Sequence, residues 1–280
     1  MKLGIDIGGT YLRYELREND KTIKKSSLKS AQTGLCSFLE MILHEEKKIS
    51  SIFIAYAGQV NEGVILSAPN ITIDKHEIKA YIEAKYNVKL FIENDLNCAV
   101  LAEAKSCKTE NICAVYAGTG LGLGVVSSSV LIKGSDNIAT ELGHIPYKDT
   151  PFTCNCGKHN CIELFCSGSG LLRWKEYYKL KPELSLEQLH QSKKDEAQKI
   201  YNEFIEALLY AVGTTITLFN PKVLVIGGGL IMHNRYLHGI IQERIKAYAL
   251  PLALKNIKIT ISTLEDASLE GAFLLKDLYE

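Results

Sequence analysis

The feature that most constrains the fold of this chain is a β-hairpin pattern with a glycine-rich turn, which occurs twice. In the first copy, the β-prone runs 2–7 and 11–17 are joined by Gly8-Gly9-Thr10. Glycine permits positive φ and lets a ligand approach the backbone, and Asp6 lies at the mouth of the turn. Backbone amides, a hydroxyl and a carboxylate suit nucleotide phosphates and their magnesium ion, although a plain hairpin would show the same pattern.

The second copy joins a strand predicted over 111–117 to the β-branched run 125–130 through a segment that begins Gly118-Thr119-Gly120. Because the layout is repeated, it indicates two related lobes, each with a phosphate-holding hairpin. The glycine spacing also matches a dinucleotide-binding fingerprint. That interpretation fails, because a helix should follow those glycines and a strand-like run follows them instead.

Composition limits the class of protein. A length of 280 residues with 46% hydrophobic content is enough for a large core and predicts roughly two domains. Lys+Arg and Asp+Glu both number 32, and the resulting zero net charge disfavours nucleic-acid binding. The sequence has neither the apolar core of a signal peptide nor a run of about 18 apolar residues, so we expect a cytoplasmic protein without membrane contact.

A cluster of metal-binding side chains lies within residues 141–163. One imidazole and three thiols form the donor set of a closed, tetrahedral structural zinc site; they belong to His144, Cys154, Cys156 and Cys161. Glu141 and Glu163 bracket these ligands and could accept hydrogen bonds from a polyhydroxylated ligand. The pattern therefore predicts a metal that shapes a pocket and takes no part in catalysis. The other cysteines are scattered among apolar neighbours, as reduced thiols are, and a disulfide framework is not expected.

A candidate catalytic carboxylate follows a predicted strand at 88–92, which leads into Glu93-Asn94-Asp95 and then a helix over about 96–105. Open α/β sheets place reactive groups at the carboxyl ends of their strands. Asp95 is therefore a candidate, and an N-cap is the alternative explanation. Gly58 follows the buried strand predicted at 51–56, and Asn70 lies in a later loop.

The remaining elements are predicted from periodicity and from helix start and stop signals. Asp74 and Glu77 form a capping-box pattern for a helix that ends near Tyr86, with Asn87 as its stop. The glycines Gly227-Gly228-Gly229 follow a predicted strand, and the flat ring of a ligand could lie against their bare backbone. The other predictions are a strand at 21–28, a helix at 34–47, a helix at 168–179, a polar helical connector at 183–194, a core helix at 197–219, a strand at 223–226, a helix at 234–249, a strand at 257–262, and a helix from about 267 in which Gly271 allows close packing.

Taken together, these motifs resemble a known family. Asp6-Ile-Gly-Gly-Thr10, Gly118-Thr-Gly120 and Val223-Leu-Val-Ile-Gly-Gly-Gly229 are similar to the phosphate and adenosine motifs of actin-like ATPases and sugar kinases. With Glu93-Asn-Asp95, Glu141-Leu-Gly-His144 and the cysteine loop, the chain resembles the ROK family of bacterial sugar kinases and sugar-responsive repressors along essentially its whole length.

The resemblance implies an α/β, two-lobed actin-like ATPase or sugar kinase (ribonuclease H-like) fold with an interlobe cleft and a zinc loop at 144–161. Residues 1–110 and 264–280 would form the N-terminal lobe, and 111–263 the C-terminal lobe. The implied activity is phosphorylation of the primary hydroxyl of a hexose, with ATP, magnesium and a structural zinc as cofactors. A homodimer is expected from the family alone.

The resemblance also implies roles for individual residues. Asp95 would be the general base. Sugar contacts would come from Gly58, Asn70, Asn94, Asp95, Glu141, His144 and Glu163. Nucleotide contacts would come from Asp6, Gly8, Gly9, Thr10, Gly118, Thr119, Gly120, Gly227 and Gly228. His144 would bind zinc through one ring nitrogen and a sugar hydroxyl through the other, beside the zinc ligands Cys154, Cys156 and Cys161.

Several alternatives remain at this point. The motif from Glu93 to Asn97 resembles glucokinases, whereas Ser67–Asn70 and Glu141–Pro146 look more like allose kinases. Glucose, allose, mannose, fructose and N-acyl-hexosamines are all candidate substrates, and a sugar-binding regulator without catalysis is a further reading. A repressor of the family is disfavoured, since its helix-turn-helix domain would precede the turn at Gly8.

Four positions depart from the usual pattern of the family. Tyr11 stands where a lysine often follows the turn, and Leu123 interrupts a usual glycine run. Ala57 replaces a common proline, and Asn160 replaces a glycine before the last cysteine. Asn160 is expected to adopt the left-handed conformation that such a turn needs.

Overall fold

Alternating strands and helices form two compact units in the computed structural model, which describes residues 1–30, 34–68 and 71–279. The first unit consists of Met1–Ser106, Leu131–Ala139 and Leu264–Glu280, and the second of Cys107–Val130 and Thr140–Thr263. The segment Leu131–Ala139 thus belongs to the first unit, whereas the sequence-based division left it with residues 111–263.

The strands are β1 (Lys2–Ile7), β2 (Tyr11–Glu18), β3 (Lys21–Lys29), β4 (Ser51–Tyr56), β5 (Gln59–Asn61), β6 (Val64–Ser67), β7 (Lys89–Asn94), β8 (Ile112–Ala117), β9 (Leu121–Ser127), β10 (Val130–Leu131), β11 (Val223–Gly227) and β12 (Lys258–Ile261). The helices are α1 (Leu35–Glu45), α2 (Ile78–Tyr86), α3 (Asp95–Cys107), α4 (Glu163–Cys166), α5 (Gly168–Tyr177), α6 (Leu186–Gln191), α7 (Asp195–Phe219), α8 (Gly229–His233), α9 (Leu237–Arg244), α10 (Ala267–Ala272) and α11 (Leu275–Tyr279).

The first unit is built on a sheet with strand order β3-β2-β1-β4-β7. β1 pairs with β2 in antiparallel and with β4 in parallel orientation, and β4 pairs with β7 in parallel. Side chains such as Ile5, Ile54 and Phe38 of α1 are fully buried on one face, while Phe53 packs with Phe91 and α10 on the other. Burial on both faces explains why the central strands are almost continuously apolar.

Gly271 allows α10 to pack closely on α3, as predicted. A Cβ atom at this position would lie 1.7 Å from the carbonyl oxygen of Cys98. A side chain here would therefore push α10 away from α3.

The capping-box prediction for α2 is wrong. α2 begins at Ile78, and its N-cap residue Glu77 makes no side-chain cap. The carboxylate of Asp74 accepts hydrogen bonds from the backbone amides of Cys36 at 3.0 Å and Ser37 at 2.8 Å, and so caps α1. A local pattern cannot reveal this role, because the capped helix lies far away in the sequence. The stop at Asn87 is confirmed, since Asn87 takes a left-handed conformation with φ of 51°.

The second unit is built on a sheet with strand order β10-β9-β8-β11-β12. β8 pairs with β9 in antiparallel and with β11 in parallel orientation, so the predicted repeat of the first hairpin is confirmed. The turn is shorter than the glycine run suggested. Gly122 and Gly124 lie in β9 opposite Tyr116 and Ala114, although glycine weakens the interior of a strand.

The core helix of the second unit, α7, is confirmed. Its predicted apolar stripe is almost entirely buried and consists of Ile200, Phe204, Leu208, Val212 and Ile216. The helix ends at Asn220, which adopts a left-handed conformation with φ of 43°. The helix predicted at 234–249 is shorter, because α9 passes into a 3₁₀ turn at Ile245–Ala247. No helix in the described part of the chain is both long and apolar enough to cross a membrane.

The β5–β6 hairpin was not predicted. Glu62 and Gly63 connect its strands with φ of 49° and 84°. Positive φ at both central residues is typical of tight hairpin turns, and a glycine at the second position was the available sequence signal.

Candidate active site and metal cluster

The first glycine turn is held by its neighbours. The Gly8 amide donates to the Tyr11 carbonyl at 3.0 Å, and the fully buried Ser30 donates its hydroxyl to the Gly8 carbonyl at 2.5 Å. Gly9 and Thr10 are exposed. Gly8 does not adopt positive φ, which was one of the two reasons expected for a glycine here. A Cβ atom on Gly8 would meet nothing nearer than the Tyr11 carbonyl oxygen at 3.8 Å. The missing side chain leaves open space, as close approach of a ligand requires.

Asp6 lies at the base of this turn, 5% exposed. It is paired across the β1–β2 ladder with Arg13, whose Nε and Nη2 donate to Asp6 Oδ2. The other end of the guanidinium pairs with Asp266 at 2.5 Å, and Lys25 reaches Asp266 at 3.1 Å. Burial raises the pKa of Asp6 above its usual value in spite of Arg13. Arg13 was not predicted from the sequence as part of the site. The available signal was its position in β2, two residues after Tyr11 and on the same face of the strand.

Asp95 begins α3 directly after β7 ends. The side-chain oxygen of Asn94 accepts hydrogen bonds from the amides of Leu96 at 2.9 Å and Asn97 at 3.2 Å. Asp95 also accepts from the Leu96 amide, at 3.0 Å. The alternative explanation for Asp95 was an N-cap. Asn94 makes the larger part of that cap, because its side-chain oxygen accepts hydrogen bonds from two amides of α3. Asp95 is half-buried at the N-terminus of α3, where the helix dipole favours a negative charge.

The edge of the first sheet brings several predicted residues together. Ile7, Tyr56 and Asn94 occupy the same register position at the carboxyl ends of β1, β4 and β7. The side-chain amide of Asn94 donates to the Gly58 carbonyl at 3.1 Å. A Cβ atom on Gly58 would lie 2.3 Å from the Ser67 carbonyl, so close packing explains this glycine. Asn70 lies outside the described residues.

The second glycine turn lies within the second unit. The Gly118 amide donates to the Gly120 carbonyl at 2.9 Å. The amides of Gly168 and Ser169, in the first turn of α5, donate to the carbonyls of Gly118 at 2.8 Å and Thr119 at 3.0 Å. A Cβ atom on Gly118 would have its nearest neighbour, the Gly229 nitrogen, at 3.8 Å. As at Gly8, the protein itself does not require the glycine.

The third glycine turn approaches the second from β11. Gly228 has φ of +85°, and a Cβ atom there would lie 2.5 Å from the Ala117 carbonyl. A Cβ atom on Gly227 would lie 2.8 Å from the ring of Tyr116. Backbone conformation and packing therefore explain both glycines. The arrangement places two predicted nucleotide segments side by side in the second unit.

The predicted zinc ligands form one cluster. The ligand atoms of His144, Cys154, Cys156 and Cys161 all lie within 4.8 Å of one another. Cys156 and Cys161 have their sulfurs 3.3 Å apart, and the Cys154 sulfur lies 3.5 Å from His144 Nδ1. Tetrahedral zinc with bonds of about 2.0–2.3 Å places its ligand atoms roughly 3.5–3.8 Å apart. The donor set and its spacing fit a zinc ion.

The two carboxylates that bracket the cluster differ in their surroundings. Glu163, the first residue of α4, accepts a hydrogen bond from the Leu121 amide at 2.9 Å and so links the cysteine segment to the start of β9. Glu141 is 43% exposed, with its Oε2 3.9 Å from His144 Nε2. His144 therefore has Nδ1 on the side of the cysteines and Nε2 on the side of Glu141.

Two departures from the expected motif have structural explanations. Leu123 is a buried strand residue opposite Val115, outside the turn. Asn160 does not adopt positive φ, so that prediction is wrong; in the cysteine loop Gly157 takes this conformation, with φ of +89°. The carbonyl of Asn160 accepts from the Tyr147 amide at 2.7 Å, in a bridge that any residue could form.

Comparison with known proteins identifies the family. The sequence pattern described as the ROK family matches residues 2–277. The chain belongs to the ROK family. The predicted membership and the α/β fold of that family are thereby confirmed.

Related ROK proteins differ in substrate. The glucokinase of Thermotoga maritima is 28% identical over 302 residues, covering 96% of this chain and 95% of that protein. The N-acetyl-D-glucosamine kinase of Pectobacterium atrosepticum is 28% identical over 280 residues, covering 90% and 91%. The structure of a ROK family glucokinase from Streptomyces griseus with glucose and AMPPNP matches with a TM-score of 0.77 at 21% identity, covering 97% of each chain, which shows the fold.

Proposed function

We propose that this ROK protein is a sugar kinase that transfers the terminal phosphoryl group of ATP to the primary hydroxyl of a hexose. The observation that carries the proposal is the position of Asp95 at the sheet edge of the first unit. There it begins α3 beside the register position shared by the ends of β1, β4 and β7, and β1 leads into the Gly8 turn. Phosphoryl transfer depends mainly on positioning and charge neutralisation, with a carboxylate that orients the attacking hydroxyl.

Asp95 would accept the proton of that hydroxyl while the hydroxyl oxygen bonds to the terminal phosphorus of ATP. The bond from this phosphorus to the bridging oxygen breaks in the same step, and ADP leaves. We propose that Gly58, Asn70, Asn94, Glu141, His144 and Glu163 hold the remaining sugar hydroxyls. Asn94 retains the means to do so: an amide nitrogen has two hydrogens, and Gly58 receives one of them. The Glu141 carboxylate and His144 Nε2 would act as a pair, since they lie 3.9 Å apart.

The open space at Gly8 and Gly118 supports the proposed ATP contacts. Neither glycine is required by positive φ or by packing, so a phosphate could approach the bare backbone of both turns. Gly9, Thr10, Thr119 and Gly120 would complete the turns, and the adenosine would lie against Gly227 and Gly228. A magnesium ion prefers oxygen ligands and is typically bound by one or two carboxylates together with substrate phosphates. Asp6 fits this role, with Arg13 engaged on its Oδ2.

We also propose that His144, Cys154, Cys156 and Cys161 hold a structural zinc ion. Four protein ligands leave no position for a reacting water, so the ion would supply rigidity to the loop and no chemistry. By fixing Nδ1 of His144, it would fix the direction of Nε2 and hence the sugar contact.

The decisive experiment measures sugar-dependent ADP release with a panel of glucose, allose, mannose, fructose, N-acetylglucosamine and N-acetylmannosamine. The panel is needed because the glucokinase and N-acetyl-D-glucosamine kinase relatives are both 28% identical to this chain. Asp95→Asn is expected to lower kcat by about 10³-fold with little change in sugar affinity, since the amide keeps the shape and loses the base. Asp20→Asn, at an exposed residue paired with Lys2, serves as the control.

Sugar binding by calorimetry without turnover of any sugar would favour a regulator that has lost catalysis. If Asp95→Asn retained wild-type turnover, Asp95 would not be the base.

A further inference from the structure

Glu93 is a completely buried carboxylate two residues before Asp95. Its Oε1 accepts hydrogen bonds from the Asn94 amide at 2.7 Å and from the side-chain amides of Asn97 at 3.0 Å and Asn137 at 2.7 Å. Its Oε2 accepts from the Tyr279 hydroxyl at 2.6 Å. These donors hold the buried carboxylate in position, because each one offsets part of its desolvation, and loss of the Tyr279 hydroxyl would remove the hydrogen bond to Oε2.

The donors come from distant parts of the chain. Asn97 belongs to α3 itself, but Asn137 lies in the segment Leu131–Ala139 and Tyr279 lies in α11. Asn137 has φ of 59°, a conformation that asparagine tolerates better than most residues. In that conformation its side-chain amide donates both to Glu93 and to the Val60 carbonyl, the latter at 2.6 Å.

The Tyr279 hydroxyl also connects Glu93 to the side chain of Lys133. The hydroxyl accepts from Lys133 Nζ at 3.4 Å, and that ammonium group lies 4.7 Å from the centre of the tyrosine ring. Tyr279 is 44% exposed as a residue, so its packing is incomplete and the hydrogen bonds of its hydroxyl help to hold the side chain in place. Burial and the Glu93 carboxylate raise the pKa of Tyr279, so the phenol keeps its proton and remains a donor at neutral pH.

We infer that Glu93, held by Asn137 and Tyr279, is the positioning residue for Asp95. Glu93 receives the backbone amide of Asn94, and Asn94 in turn caps the helix that begins at Asp95. A shift of Glu93 is therefore transmitted over one peptide unit to the start of α3. This role of Glu93 deepens the proposed sugar kinase activity and rests on it. It gives α11 and the segment Leu131–Ala139 a part in setting the catalytic rate.

The test is Tyr279→Phe, which removes the hydroxyl and keeps the ring. Loss of one donor should let the carboxylate move, and misplacement of a catalytic group by a fraction of an ångström lowers the rate, so we expect kcat to fall about tenfold. The KM values for sugar and ATP should stay within about twofold, because the Tyr279 hydroxyl bonds to Glu93 and Lys133, neither of which is a proposed sugar or nucleotide contact. The matched control is Tyr81→Phe, which removes a hydrogen bond of the same length, 2.6 Å, from Tyr81 to Glu40 in the same unit.

A second pair of variants separates the Asn137 side chain from its backbone conformation. Asn137→Gly keeps the left-handed backbone at no steric cost and removes the amide. It should lower kcat as Tyr279→Phe does. Asn87→Gly makes the same change at a left-handed residue that ends α2, with φ of 51°, and should leave kcat unchanged.

Hydrogen exchange supplies a readout that does not depend on turnover. The amides of Leu96 and Asn97, which donate to Asn94, should exchange about tenfold faster in Tyr279→Phe and as in wild type in Tyr81→Phe. Unchanged exchange, or an equal fall in kcat in both tyrosine variants, would overturn the inference. If wild type phosphorylated no sugar while exchange still rose in Tyr279→Phe alone, the proposed function would fail and the link from Tyr279 to the start of α3 would stand.

Discussion

Arg13 on β2 stands directly opposite Asp6 on β1 and donates to its buried carboxylate through two guanidinium nitrogens. The same side chain also reaches Asp266. A cation therefore compensates two carboxylates at the base of the first glycine turn. This positive charge lies two residues beyond Tyr11, on the same face of β2.

The first prediction concerns the pH dependence of stability through Asp6. Burial raises the pKa of Asp6 above its ordinary value of 3.8, so the folded state holds this proton more tightly than the unfolded state does. Asp6 therefore stabilises the fold below pH 3.8, and this contribution is lost as pH rises through the raised pKa. Asp6→Asn, which does not titrate, should gain stability relative to wild type as pH rises from about 4 to 7.

Urea denaturation of both proteins across that range measures the difference in the free energy of unfolding. The exposed Asp20→Asn variant should not gain stability relative to wild type as pH rises. Pairing with Lys2 lowers the pKa of Asp20, which gives the opposite pH dependence to that of Asp6. A difference between Asp6→Asn and wild type that stays constant with pH would contradict the prediction.

The second prediction separates glycines that serve a ligand from glycines that serve the fold. Gly8→Ala and Gly118→Ala place a methyl group where the nearest atom is 3.8 Å away, so stability should change by less than about 1 kcal/mol. ATP affinity should fall about tenfold if phosphates approach these positions, since a methyl group blocks the bare backbone. Isothermal titration with a non-hydrolysable ATP analogue measures the change.

Gly228→Ala is the contrasting variant. Its φ of +85° and the Ala117 carbonyl at 2.5 Å both oppose a side chain, so we expect a loss of roughly 2 kcal/mol or more in stability. Wild-type ATP affinity in both Gly8→Ala and Gly118→Ala would argue against phosphate contacts at these turns.

The third prediction concerns zinc. Removing the ion with a chelator, or removing one ligand by Cys156→Ser, should lower the melting temperature by several degrees and weaken sugar binding about tenfold or more. The reason is that the imidazole ring of His144 would no longer be held in one orientation by the metal ion. Metal content by elemental analysis and sugar affinity by calorimetry should fall together.

Cys107→Ser is the control for the zinc experiment, since Cys107 lies outside the cluster. Zinc-free protein that binds sugar as tightly as the untreated protein would separate the metal from the sugar pocket.

The fourth prediction tests the cap of α1. Asp74→Ala should lower the free energy of unfolding by about 1 kcal/mol, since two helix amides lose their acceptor. Glu77→Ala should have almost no effect, because Glu77 makes no side-chain cap. Thermal or urea unfolding measures both, and equal losses in the two variants would restore the capping-box interpretation.

Much of the fold could be predicted because its signals are local. The glycine turns, the apolar strands around them and the stripe of α7 each occupy a short stretch of sequence, so periodicity and turn chemistry identify them. The candidate zinc ligands could be predicted for the same reason, since the three cysteines lie within residues 154–161. The β5–β6 hairpin was not predicted, although its turn residues Glu62-Gly63 are a local signal of the same kind.

The roles of polar side chains were harder to predict. Asp74 and Glu77 have the spacing of a capping box, yet Asp74 caps a helix 37 residues earlier. Asn94 and Asp95 are both good cap residues, and only the backbone geometry at the end of β7 gives the larger part to Asn94. Propensity describes what a residue can do, whereas the partner within reach decides what it does.

By itself the sequence determined the family and the two repeated hairpins, and it predicted the metal ligands and Asp95 as the base, because each motif consists of residue types at short, fixed spacing. Only the tertiary structure decided that Arg13 compensates Asp6, that Asp74 caps α1, and that Glu93 is held by Asn137 and Tyr279. These contacts join residues separated by as many as 186 positions. Asp74 and Glu93 meet their partners only when the sheet and its helices pack, so no short stretch of sequence records these contacts. The pairing of Asp6 with Arg13 depends on the register of the β1–β2 hairpin.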